Sequence, residues 1–355
     1  ISFAPIESSV EQVLGVSAGR VRLLSLVGPV AFVFLGTYAG KTTDRRGFRF
    51  TALVGAGTLS ATGIVRAIVP HLDLSGEIQY WIFLALQLVI GSGAVFVLTN
   101  LSEVPIKWFR EQERATATGL ATMFFYLGTA IGFPLVTIVA AIPDDTADVA
   151  VMSAGLNRVL WVFAAVMAGA TLLFAVLARE EPPTPSGPRP EELRLGMLAS
   201  LRMFLGSATF RALALISLIG YGVYIGLTVT MEKIMGFHGF SSSFASYVAA
   251  GLTLGGIIGS VVIPGLSEKV GRRRPFLLIA GAAILPAVLL MAFVGNRPVG
   301  VIAAILLGVL LLPALPITFT IVGEMREIGP AFSGAAVGTL MAIGNAGSLL
   351  IPLTM

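Results

Sequence analysis

Two short charged loops in this chain carry nearly the same residues at the same spacing. The first runs from Asp44 to Arg49 and reads DRRGFR, and the second runs from Glu268 to Arg273 and reads EKVGRR. Each has an acid followed by a base, then a glycine, and an arginine two residues beyond the glycine. Each follows an apolar stretch long enough to cross a bilayer. The repetition indicates a chain built twice, with the same hinge on the same side of a membrane, and therefore predicts a transporter.

Acidic residues inside apolar segments are the next candidates for chemistry, since a carboxyl group within a membrane is costly and usually functional. Glu7 is expected to lie deepest, beside Ser8 and Ser9, and is the first candidate for proton coupling. Glu103 is the second candidate. An alternative stays open for each acid. The helix of Glu7 could lie closer to the membrane surface, which would place its carboxyl group in water. Glu103 could pair with arginines of the charged loop.

Amide side chains in apolar segments could contact a solute. Asn100, beside Thr99, and Asn345 are of this kind. Hydrogen bonding to a neighbouring helix is the commoner use of such groups. The sequence therefore leaves both interpretations open for each asparagine.

The composition decides which elements must position these residues. Hydrophobic residues make up 56% of the 355 residues and charged residues 12%, and the mean hydropathy is +0.92. Such a chain needs the bilayer as its solvent, and apolar runs of about 20 residues predict spanning helices. After the tail of one helix near 1–16, we expect spans near 20–40, 50–70, 79–106, 113–142, 156–178, 210–235, 243–266, 275–295, 299–323 and 331–355. The fold class is therefore an all-α membrane protein with about eleven spans.

Basic residues predict the orientation. Alternating the sides from span to span places seventeen of the 23 lysines and arginines on the side that holds both charged loops. An excess of lysine and arginine marks the cytoplasmic side. We expect a multi-pass protein of the cell membrane with the charged loops in the cytoplasm.

The stretch 180–204 is a polar interruption rich in proline. Its second part repeats apolar residues at helical spacing, which predicts a short amphipathic helix on the membrane surface. We expect two six-helix bundles, 1–179 and 205–355, joined by this linker, with the last helix missing. The chain starts at Ile1 and stops at Met355, and we expect both ends of a longer protein to be missing.

Several classes of function are disfavoured. There is no cysteine, and His71 and His238 are too few and too far apart for a metal cluster. No nucleophile–base set is recognisable, so we expect no enzyme, no metal and no cofactor. No basic tract with interleaved aromatic residues suggests nucleic acid. The expected partners are a small-molecule substrate and the lipid bilayer, with the protein a monomer.

The segment from Gly40 to Arg49 resembles the signature loop between the second and third helices of the major facilitator superfamily. The second copy departs from it, with Pro264 at the leading glycine position. The resemblance implies the major facilitator fold, two six-helix bundles with a site between them. It also implies a cytoplasmic latch in which the acid caps a helix start in the other half.

The residues assigned to this latch by the resemblance are Gly40, Asp44, Arg45, Gly47, Arg49, Glu268, Lys269, Gly271, Arg272 and Arg273. A helix N-terminus favours a carboxylate. Asp44 would meet the helix that starts near Pro330, and Glu268 the start near Glu113. The alternative is a solvated turn that only enforces topology.

Shorter segments spread along the chain resemble the feline leukaemia virus subgroup C receptor family. Among them are Trp108-Phe109, Leu127 to Phe133 and Tyr221 to Gly226. The resemblance implies a carrier of choline, ethanolamine or haem.

The binding positions of that family fall on Tyr126, Tyr221 and Asn345, and Tyr224 lies in the same segment as Tyr221. The family has glutamines where this chain has Tyr126 and Asn345, so the cage is partly altered. The aromatic face of Tyr126 can still bind an organic cation.

Three functions stay in competition. The first is facilitated movement of an amine-like solute by alternating access. The second is proton-coupled efflux of a drug or metabolite. The third is a non-transporting receptor built on the same fold.

Overall fold

The computed structural model describes residues 3–110, 113–143, 146, 148–182, 197–293, 295–325, 328 and 332–351. In these residues the chain is helical, with no strand. The helices are α1 (Glu7–Leu14), α2 (Ala18–Leu26), α3 (Gly28–Arg46), α4 (Phe48–Ile68), α5 (Gly76–Leu98), α6 (Asn100–Trp108), α7 (Arg114–Ala140), α8 (Val149–Leu177), α9 (Met197–Gly206), α10 (Ala208–Phe237), α11 (Ser242–Val270), α12 (Arg274–Phe293), α13 (Arg297–Leu311), α14 (Ala314–Glu324) and α15 (Ser333–Leu350).

Nine helical segments in the described part are long and apolar enough to cross a membrane. Three of them join two helices each: α2 with α3, α5 with α6, and α13 with α14. A shorter apolar helix, Gly334–Leu350, follows the last of them. These ten segments fall on the ten full spans expected from hydropathy, and α1 falls on the expected partial span. The prediction of an all-α membrane protein is confirmed.

Prolines account for two of the breaks within these long segments. Pro29 stands in the first turn of α3, and Pro313 immediately precedes α14. Proline lacks a backbone N–H, so it is tolerated at the start of a helix and disrupts the ladder elsewhere. Pro134 is retained inside α7. Two of the breaks therefore coincide with a proline.

The most extensive packing between the first eight helices and the later ones is that of α3 on α15 and of α7 on α11. We call the end of the bundle that carries Gly47, between α3 and α4, the loop end. Helix α15 begins at the loop end, and α9 packs there against α10, α3 and α15. The linker before α9, residues 183–196, and Pro330 lie outside the described residues.

Candidate functional site

Asp44 lies in the last turn of α3 and reaches the first turn of α15. Its Oδ2 accepts a hydrogen bond from the Ala335 N–H at 3.2 Å, and the Gly334 N–H also bonds to this carboxylate. The first N–H groups of a helix have no intrahelical partner, and a carboxylate there is stabilised by the helix dipole. The geometry is the one the signature loop implies, with α15 starting at Ser333.

Glu103, from α6, lies beside Asp44. The two carboxyl groups share a hydrogen bond, and Glu103 is only 6% exposed. A hydrogen bond between two carboxyl groups needs a proton on one of them, because an ionised carboxylate only accepts. The loop end therefore holds a pair of acids that can carry one proton at the junction of α3, α6 and α15.

Two features of the structure favour glycine at position 47, where α3 ends: the backbone conformation and the lack of space for a side chain. Its φ is +85°, a region that side chains disfavour. A Cβ at this position would also collide with the carboxylate of Glu180. Gly47 thus leaves room for the carboxylate of Glu180, an acid that the sequence did not single out.

Glu180, just beyond α8, caps the start of α4. Its carboxylate accepts from the Phe48 N–H at 3.1 Å and the Arg49 N–H at 2.8 Å, and it pairs with Lys107 Nζ at 2.5 Å. Arg49 also bonds to the last turn of α8, because its Nη2 donates to the Ala175 carbonyl at 3.1 Å. In the sequence, Glu180 looks like the start of a linker. The only signal was an acid on the side predicted to be rich in bases.

We expect Glu180→Gln to lower the free energy of unfolding by about 1–2 kcal/mol, because two charge-assisted hydrogen bonds to backbone N–H groups weaken together. The partly exposed pair with Lys107 adds little. Thermal unfolding in detergent measures the change, with Asp73→Asn, at an exposed acid before α5, as the control. Equal melting temperatures for Glu180→Gln and Asp73→Asn would refute the capping role.

The remaining residues of the two charged loops lie mostly at the surface. Arg45 is exposed, as are Lys269, Gly271 and Arg272 in the second copy, and Arg273 is half-buried. Gly271 has a φ of +66°, so the second loop shares the left-handed glycine. The side chain of Glu268 lies outside the described residues, and its contact near Glu113 stays a prediction.

Glycines hold α3 against α15 along the half nearest the loop end. Gly36 and Gly40 on α3 face Gly338 and Gly334 on α15, and a Cβ on any of these would meet the other helix or, at Gly334, the Asp44 carboxylate. The hydroxyls of Thr37 and Thr339 lie 3.1 Å apart across the same contact. Small residues permit this close backbone approach in a membrane. We call this contact the α3–α15 seam.

Two cavities lie between the halves, beyond the seam from the loop end. The larger has about 440 Å³ of empty space, and residues from both halves line it, including Phe32, Thr122, Phe125, Tyr221, Met341 and Asn345. The smaller, about 290 Å³, is lined by residues that include Tyr126, Ser217, Tyr221, Tyr224, Leu311 and Thr318. Tyr221 and Leu315 line both.

Three tyrosines form a cluster on these walls. The ring centroids of Tyr126 and Tyr224 are 6.1 Å apart, and those of Tyr221 and Tyr224 are 6.3 Å apart. The structure thus brings together Tyr126, Tyr221, Tyr224 and Asn345, as the family resemblance implies. The Asn345 amide donates to the Met341 carbonyl at 2.9 Å, leaving its oxygen for other contacts.

Two candidates for the cavity lie elsewhere. Asn100 accepts from Thr51 Oγ1 at 3.2 Å and donates to the Phe96 carbonyl at 2.7 Å, which is the helix-to-helix use of an amide. Glu7 pairs with Arg22 at 2.8 Å. Neither Asn100 nor Glu7 is among the described residues that line these two cavities. Both contacts depend on how helices meet in space, which the local sequence does not show.

Helices enclosing an aromatic cavity between two halves define a multi-pass membrane transport protein. A family model of the Major Facilitator Superfamily matches residues 1–352. The chain belongs to this superfamily, whose members are transporters acting on small molecules in membranes. The major facilitator fold expected from the signature loop is confirmed.

Similar proteins include a solute carrier and a choline/ethanolamine transporter. The chain is 27% identical over 375 residues to the solute carrier family 49 member 4 homolog of Xenopus tropicalis, covering 100% of this chain and 80% of that protein. It is 23% identical over 369 residues to the choline/ethanolamine transporter FLVCR1 of Felis catus, covering 99% of this chain and 63% of that protein. The narrower resemblance drawn from short segments is confirmed.

Solved structures give the same architecture. The proton:xylose symporter XylE aligns with a TM-score of 0.73 at 14% identity, covering 99% of this chain and 83% of that chain. The E. coli fucose:proton symporter FucP aligns with a TM-score of 0.69 at 16% identity, covering 100% and 88%. At such identities the likeness shows the fold alone.

Proposed function

We propose that the chain moves a small, amine-like organic solute across the membrane by alternating access. The observation that carries this proposal is the aromatic cavity between the halves, separated from the loop end by the α3–α15 seam. In transporters built from two repeats, the site lies between the halves and opens to each side in turn. Opening at the loop end requires α3 and α15 to part.

The walls of the cavities support an amine-like solute. None of the described residues that line them carries a formal charge, so an anion would find no cationic partner there. Tyrosine faces attract organic cations through the ring quadrupole. A relative is named for choline and ethanolamine transport, which agrees in chemistry with an aromatic, uncharged site.

The setting proposed with this function is the cell membrane, with the loop end in the cytoplasm and the protein acting as a monomer. The charge asymmetry of the loops supports this orientation. The proposed halves are residues 1–179 and 205–355, joined by 180–204. A solute driven only by its own gradient needs no ion, so facilitated transport is the simplest form.

Uptake of labelled choline and ethanolamine into proteoliposomes tests the proposal. We expect saturable uptake above empty liposomes, and we expect Tyr221→Ala to raise KM at least tenfold because it removes an aromatic wall of both cavities. Tyr247→Ala is the matched control, since Tyr247 is 70% exposed on α11. Uptake of neither amine, or equal KM values for the two variants, would contradict the proposed solute class.

The carboxyl pair of Asp44 and Glu103 favours proton coupling as a second mechanism. Of the two acids that the sequence offers for coupling, Glu7 and Glu103, the pairing with Asp44 favours Glu103. We expect Glu103→Gln to abolish any stimulation of uptake by a pH gradient, because it removes one member of a pair that holds a proton. Glu7→Gln should retain it, since Glu7 is ion-paired with Arg22. Uptake at several imposed gradients measures this, and wild-type uptake that ignores the gradient would exclude coupling.

A further inference from the structure

Two hydroxyl groups on the wall of the smaller cavity are buried without a hydrogen-bond partner. They are Tyr126 Oη, on α7, and Ser217 Oγ, on α10. Tyr126 is 0% exposed and Ser217 3% exposed. One comes from each half of the molecule, and both line the same space.

Three other hydroxyls around the cavities are hydrogen-bonded within the protein. Tyr224 is hydrogen-bonded to Thr253, Thr122 donates to the Thr118 carbonyl at 2.8 Å, and Thr318 donates to the Leu315 carbonyl at 2.7 Å. A serine in a helix normally bonds to its own backbone in this way. Ser217 departs from this pattern, and the Tyr126 hydroxyl on the same cavity wall also has no partner.

A buried polar group without a partner is unfavourable and needs an explanation. A solute oxygen that bonds to both hydroxyls would satisfy them together, since a hydroxyl can donate and accept. Because no described residue lining the cavities is charged, the oxygen belongs to a neutral group, a hydroxyl or a carbonyl.

We propose that Tyr126 and Ser217 determine specificity by binding a hydroxyl or carbonyl oxygen of the transported solute. The proposal rests on the function proposed above and adds a second recognition element to it: the tyrosine faces hold the amine end, and the two hydroxyls hold the oxygen. Since the two groups come from different halves, a bound oxygen also links α7 to α10.

Matched compounds that differ by one hydroxyl test this on the purified full chain. Choline is compared with propyltrimethylammonium, and ethanolamine with propylamine, in which a methyl group replaces the hydroxyl. We expect the hydroxyl-bearing member of each pair to bind about tenfold more tightly, as for one hydrogen bond retained or lost in a buried site. Isothermal titration calorimetry measures both affinities.

Two variants assign the preference to the residues. Tyr126→Phe and Ser217→Ala should each reduce the preference to about twofold or less, while melting temperatures without solute stay equal to or above that of the wild type. The matched control is Ser260→Ala, which removes another buried hydroxyl without a partner in the described structure but lines neither cavity. It should keep the full preference.

The outcomes separate the two proposals. Equal binding of both members of each pair, or a preference that survives in both variants, overturns this assignment and leaves the amine class standing. A fall in melting temperature without solute for both variants also overturns it, because the hydroxyls would then be serving the fold. Binding of none of the four compounds overturns both proposals.

Discussion

An Asp44→Ala variant is expected to lose about nine-tenths of its solute uptake while still folding. The Asp44 carboxylate bonds to the N–H groups of Gly334 and Ala335 at the start of α15, and this contact exists only while the seam is closed. A carboxylate at a helix N-terminus contributes about 0.5–2 kcal/mol. Its loss shifts the balance between closed and open states by roughly tenfold, so the carrier dwells in one state.

Asp44→Asn and Asp73→Ala serve as the comparison variants. Asparagine keeps an oxygen for the Ala335 N–H without the charge, so its uptake should fall between that of Asp44→Ala and the wild type. Asp73 is exposed before α5, away from the loop end, and its loss should change nothing. Unchanged kinetics for both Asp44 variants would show that the loop only sets topology.

The second large effect is expected for Gly40→Leu. A Cβ at Gly40 would collide with the backbone of Gly334, and a leucine needs still more room. Overpacking costs about 1–3 kcal/mol or more, and here the cost falls on the closed seam alone because the open state separates the two helices. We expect uptake to fall at least a hundredfold, more than for Asp44→Ala.

Gly57→Leu is the matched control for that substitution. Gly57 lies on α4 with open space around it, so the same side chain should be tolerated and uptake should stay within about twofold of the wild type. A Gly40→Leu carrier that works normally, with uptake measured in parallel in proteoliposomes, would show that the seam does not need its glycines.

Local patterns in the sequence predict much of this architecture. Apolar length predicts the spans because the bilayer thickness sets it, and the DRRGFR loop places Asp44 at a helix end. Long-range contacts are different in kind. Glu180 caps a helix 131 residues earlier at Arg49, and no local pattern marks that pairing. Asp44 could be named because the resemblance of its loop to the signature implies a helix start as its partner, and the structure places it beside the start of α15.

The residues that line the two cavities also divide into those that the sequence could identify and those that only the structure reveals. Tyr126, Tyr221 and Asn345 could be named from a family resemblance, and the structure gathers them around shared space. Ser217 could not be named, because a serine in an apolar helix looks like any other until its missing partner is seen. Glu7 was expected deep in the site because its segment is apolar, yet its contact is Arg22.

A distance measurement across the loop end tests the proposed alternating access most directly. The chain has no cysteine, so spin labels at Arg46→Cys and Thr209→Cys, both exposed positions at the loop end of different halves, report one distance. Alternating access with the seam as its gate predicts two distances. Asp44→Ala should enrich the longer one, and added choline should change their ratio. A single distance that neither the variant nor the solute alters would contradict it.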